Sequence, residues 1–171
     1  ISGDHQIMHA IREQAKINDF LSGDTNPYLR KAWLLRDALP QAISIDNLLD
    51  AHRGDKEAEV CGKFGIAKCI LEAEQQSKLW YSEQVRKINF SDVADTWFAG
   101  FIKVLTENVS KDQLGSIFEN VSFINFNYDR CVEHYLYEAL QGYYGSDATG
   151  VAGALKSLNI FHPYGSVGKL P

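Results

Sequence analysis

The chain has 171 residues, 45% of them hydrophobic and 12% aromatic, enough to bury one core or a core with an appendage. A formal net charge of -5, with acids and bases alternating along the sequence, argues against a broad nucleic-acid surface, which needs clustered Lys and Arg. Cys61, Cys69 and Cys131 form no C-x-x-C pair, which excludes a zinc knuckle or disulfide framework and points to a reducing, cytoplasmic setting, and no apolar run approaches the roughly 20 residues of a membrane span.

In chain order, Ile7, Met8, Ile11, Ala15 and Phe20 recur at helical intervals and predict a surface helix over about 5–21, ended by "SGDTNP". Pro27 suits a first helical position, and Trp33, Leu34 and Leu35 carry a second helix as far as Leu39 before Pro40 stops it. Ser44 is an N-cap and Gly54 a stop for a short third helix. The longest helix is predicted over about 56–78, where Gly62 and Gly65 suggest close helix packing. Another follows Ser91 with Val93, Trp97, Phe98, Phe101 and Leu105 on a wide apolar face, and a short one covers about 112–119.

At Asn120 the pattern changes. "VSFINF" is β-branched and aromatic, too short for a helix, and predicts a strand buried on both faces. A helix from Asp129 with Val132, Leu136, Ala139 and Tyr143 on one side, a short helix at 148–157, and a second strand in "NIFHPYGSVG" complete the order of a parallel crossover unit. The expectation is a single domain over 1–171, mainly helical over 1–119 and strand-helix-strand over 120–171. Because the chain begins with Ile1 and stops at Pro171 just after a strand-like segment, it reads as a piece of a longer protein.

Two segments could carry chemistry. Asn127 and Asp129 fall where a strand gives way to a helix, the place where ligands of parallel sheets sit and helix N–H groups point outward. An amide there can bind a ribose hydroxyl or a water, although Asn and Asp are equally what a helix start prefers as caps. In "FHPYGSVG", His162 could act as a general base near neutral pH, and Gly165 could let a ligand approach the backbone. Strand alternation would put His162 and Tyr164 on one face; the plain alternative is a half-buried histidine bonded to a carbonyl. "GVAGA" at 150–154 is only superficially a phosphate loop, and His5 and His9 share a helix face without a carboxylate motif for metal.

The segments "NFNYDRCVEHYL" and "FHPYGSVG", with "SIDNLLDAHRGD" and "GKFGIAKCILEAEQQSKL", resemble the SIR2-like (sirtuin-related) domains of bacterial proteins, many of them linked to antiphage defence. The resemblance implies an α/β fold with an incomplete Rossmann-like parallel sheet and a large helical N-terminal portion. It implies NAD or ADP-ribose as ligand, no metal, and cleavage of the nicotinamide–ribose bond by water in the full-length protein. Asn127 and His162 would be catalytic, and Asn127, Asp129, Tyr164, Gly165 and Ser166 would contact the nucleotide. The family's Gly-Ala-Gly-x-Ser diphosphate cradle has no counterpart here and would lie upstream of Ile1, so the chain by itself is expected to be inactive. Tyr164 stands before Gly165 where the family places its histidine, with His162 two positions earlier. A non-catalytic NAD or ADP-ribose sensor and a helical interaction module are the rival readings; homo-oligomers and further domains stay open, with no nucleic-acid or membrane partner expected.

Overall fold

A computed structural model describes residues 4–18, 23–81 and 87–168. The chain divides into two compact units, 1–69 and 70–171, a boundary inside the longest helix and well upstream of the pattern change at Asn120. The buried apolar residues form two separate clusters.

The first unit is built from α1 (His5–Asn18), α2 (Asn26–Ala38), α3 (Ile45–Ala51) and the first part of α4 (Lys56–Gln76). The 3.6-residue spacing turns Ile7, Ile11 and Ala15 of α1 inward, where they meet Tyr28, Ala32 and Leu35 of α2 and Ala58 and Cys61 of α4. Ser44 caps α3 as its sequence suggests, its hydroxyl accepting the Asn47 N–H at 3.1 Å. At Gly62 a Cβ would lie 2.4 Å from Leu49 Cδ2, which accounts for that glycine, whereas Gly65 has open space beside it and close packing does not explain it. Phe20, expected at the end of α1, lies outside the described residues.

In the second unit, the wide face expected after Ser91 begins later: Phe90–Val93 is a 3-10 helix and α5 runs Trp97–Thr106. A second 3-10 helix, Lys111–Ser116, leads to β1 (Ser122–Ile124). Then come α6 (Cys131–Tyr144), α7 (Ala148–Leu155) and β2 (Asn159–Phe161). The two strands pair in parallel, with Ser122 opposite Asn159, Phe123 opposite Ile160 and Ile124 opposite Phe161. Phe123 and Ile160 pack on the core formed by Phe118, Tyr135, Leu136, Leu140 and Val151, and Phe101 meets Phe123 with ring centroids 5.2 Å apart.

The Rossmann-like expectation is corrected here. Most of the described chain is helical, and the only sheet among the described residues is this pair of three-residue strands. A Rossmann-type site needs a point where strand order reverses, which two strands cannot supply. The apolar pattern explains the outcome: among the described residues, most buried hydrophobics outside 121–126 and 158–161 repeat at helical intervals and form helix faces. Burial on both faces fails as well, because Ile124 and Phe161 are 67% and 62% exposed. No helix among the described residues is long and apolar enough to cross a membrane.

Phe118 is 1% exposed at the centre of the second core. Phe118→Ala should cost about 3–5 kcal/mol through lost burial and a residual cavity, read as a fall in the urea midpoint; a loss under about 1 kcal/mol would contradict this packing.

Candidate functional site

The strand ends come together at one corner. The 125–130 loop after β1 and the 162–168 loop after β2 are joined at three points: Asn125 N–H donates to Phe161 O at 2.9 Å, His162 Nδ1 donates to Asn127 O at 3.1 Å, and Val167 N–H donates to Tyr128 O at 3.0 Å. The other ring nitrogen of His162 lies 3.0 Å from Glu133 Oε1, in the first turn of α6. A carbonyl can only accept, so Nδ1 is the donor in the first of these two contacts. The ring is largely enclosed, its side chain 12% exposed.

Asn127 and His162, expected to share a site, are therefore neighbours, but through the backbone carbonyl of Asn127. Asn127 is an exposed residue, and both of its contacts here are made by the backbone. Asp129 Oδ1 accepts the Cys131 N–H at 3.0 Å in a turn just before α6, whose N-cap is Arg130, so the helix expected from Asp129 starts two residues later. The second strand stops at Phe161, and a turn closed by Gly165 N–H to His162 O at 3.1 Å replaces the expected extension. Alternation therefore fails: His162 is half-buried while Tyr164 is exposed. Gly165 has φ +93, a backbone that L side chains rarely adopt, and the turn accounts for the glycine without a ligand. Ser166 is exposed beside it.

Sequence reasoning missed Glu133 and Asn125. Asn125 Oδ1 accepts the Asn127 N–H at 3.0 Å, which sets the orientation of its amide and leaves Nδ2 buried without a partner; Glu133 Oε2 is the other buried orphan. The signal was available, since a Glu in the first turn of a helix that starts at a strand end faces the same edge as the strand-end residues.

Behind the corner, Glu74 holds the start of α6. Its Oε1 accepts from Arg130 N–H at 2.8 Å and Nε at 3.2 Å, and its Oε2 accepts from Nη2 at 2.6 Å. Burial alone would raise the Glu74 carboxyl, but the Arg130 hydrogen bonds and charge outweigh it and hold the group below the ordinary carboxylate range. Burial, reinforced by Asp129, pushes the Cys131 thiol up to about 12, so it is no nucleophile near neutral pH. The "GVAGA" segment is the body of α7, and the N–H of Gly150 is taken by Asp147 Oδ1 at 2.8 Å. Among the described residues no cluster of His, Cys, Asp or Glu could hold a metal.

Comparison with protein-family models, curated proteins and solved structures finds no match.

Two outcomes follow. A lowered folded-state carboxyl contributes stability that is fully present above the ordinary carboxylate range and is lost as pH falls through the lowered value. Urea midpoints of wild type and Glu74→Gln should thus differ near neutral pH by the equivalent of about 3 kcal/mol, the scale for breaking a buried pair, and converge in acid; a gap independent of pH would contradict it. Iodoacetamide at mildly alkaline pH should label exposed Cys69 and spare Cys131 and the buried Cys61, whose thiol burial raises to about 11. Peptide mass mapping reads the pattern.

Proposed function

We propose that the full-length protein binds NAD+ at this strand-end corner and cleaves its nicotinamide–ribose bond with water as the acceptor. The observation that supports the proposal is the clasp between the two loops, in which the Asn127 carbonyl meets one ring nitrogen of His162 and Glu133 meets the other. The substrate class comes from the SIR2-like resemblance of "NFNYDRCVEHYL" and "FHPYGSVG".

The reaction has an oxocarbenium-like transition state at the ribose carbon. The C–N bond breaks with its electron pair leaving on nicotinamide, which departs neutral; water adds to the opposite face, and its proton is passed to a base and then to solvent. In this reading the Asn127 amide holds a ribose hydroxyl or the attacking water, and His162 accepts the proton. Both ring nitrogens face protein acceptors in the resting arrangement, so one contact must open when substrate enters. The contact that opens in this reading is Asn127 O to Nδ1: with the ring proton on Nε2, donated to Glu133, Nδ1 is free to accept and the carboxylate orients the ring.

That same closed ring favours a second reading, a sensor that binds NAD+ or ADP-ribose without turnover. Tyr164 at the position where the resemblance expects a histidine points the same way.

The test is NAD+ consumption and heat-shift by the full-length protein, with residues 1–171 alone expected to turn over little or no NAD+. Turnover that falls about 10²-fold or more in both Asn127→Ala and His162→Ala supports the hydrolase. Micromolar binding without turnover selects the sensor. Neither heat-shift nor turnover discards the nucleotide and leaves a helical interaction module.

A further inference from the structure

The outer face of the small sheet is bare. Ile124 and Phe161 stand opposite each other in the strand register and turn away from the core, 67% and 62% exposed, while Phe123 and Ile160 beside them pack inward. A step further along the same two segments, Phe126 and Tyr164 are 61% and 67% exposed, and their rings meet with centroids 6.0 Å apart. Parallel strands are ordinarily covered on both faces. Four large side chains grouped at the ends of two strands differ from the single scattered hydrophobics that any surface carries.

Size and charge decide what fits there. With roughly 150–250 Å² in a whole aromatic side chain and somewhat less in an isoleucine, these exposures leave on the order of 450 Å² of surface, the size at which the largest patch of a monomer is often functional. Set against its own copy, such a patch buries about 900 Å² from these side chains alone, and with a polar rim it approaches the roughly 1,200 Å² that separates weak, reversible contacts from standard interfaces. Ser122 and Asn159, joined by an Asn159 Nδ2–H to Ser122 Oγ bond of 3.2 Å, form such a rim. The two segments are also free of charge: 120–128 and 157–167 contain no Asp, Glu, Lys or Arg, and the one histidine in them, His162, is turned into the clasp. A two-fold contact lays a patch against itself, so any charge near the axis meets its like. An uncharged patch escapes that cost and offers a charged partner nothing to pair with.

We infer that the outer face of this sheet, Ile124 and Phe161 with Phe126 and Tyr164, is the contact between two copies of this chain in a weak, reversible, two-fold dimer. The inference does not rest on the NAD+ reading, and a measurement of mass tests it without nucleotide.

The experiment is sedimentation equilibrium of the whole 171-residue chain. Over about 1 μM to 1 mM, the span in which a weak interface assembles, monomer should give way to dimer. Raised salt should preserve or strengthen the association, because apolar burial holds it while two copies of net charge -5 repel each other. Ile124→Asp and Phe161→Ser should each raise the dissociation constant about ten-fold or more, the scale of a side chain at an interface centre. Phe126→Ser should do the same from beyond the strands, so it carries the test if a strand substitution lowers the thermal midpoint of the dilute monomer. A monomer across the whole range overturns the inference and leaves the face to a partner of another kind. A dimer indifferent to all three substitutions, or one that salt dissolves, overturns it as well.

Discussion

The carboxylate of Glu74 governs the geometry of the second unit. Its three hydrogen bonds from Arg130 reach both the guanidinium and the backbone N–H just before α6, so the last turn of α4 dictates where α6 starts. A backbone donor there has no helical partner and must find one. The first turn of α6 then carries Cys131 and Glu133 to fixed places, and Glu133 in turn sets the ring of His162. The corner is thus a chain of dependence from one partly buried ion pair, through a helix start, to an imidazole.

The parallel pair of strands supplies the second half of that arrangement. Parallel strands deliver both their carboxyl ends to the same edge, and the crossover through α6 and α7 leaves Asn125–Asn127 and His162 only a backbone apart. Three hydrogen bonds close the two loops on each other. The inner face, Phe123 and Ile160, is anchored by rings from α5 and by the core, whereas Ile124 and Phe161 face outward. A sheet so small positions loops well and encloses little.

Much of the helical content could be read from residues alone. The stripe Ile7, Ile11, Ala15 and the cap Ser44 have local physical causes, 3.6-residue periodicity and an unpaired helix N–H, and they emerged where expected. The Asp129 contact to the Cys131 N–H is equally local, a turn two residues long that precedes the cap at Arg130. The extended reach of the second strand was misjudged because alternation over "NIFHPYGSVG" does not distinguish a strand from a strand that turns: Pro163 and Gly165 close a turn at His162, and only its hydrogen bond tells the two apart. The sheet's size escaped for a similar reason, since a short apolar run is compatible with one buried face or two. Glu133 escaped because its partner lies 29 residues away in sequence.

By themselves, then, the residues determined most of the helical segments, the cap at Ser44, and that the two strand ends carry the polar side chains. Those features depend on neighbours within a few positions along the chain. The tertiary structure decided that the chain has two cores, that the sheet stops at two strands, and that His162 has both nitrogens engaged, one of them by the Asn127 carbonyl. Each of these depends on which distant groups meet, and a linear pattern of side chains constrains that only weakly, because many pairings bury similar apolar area and packing selects among them.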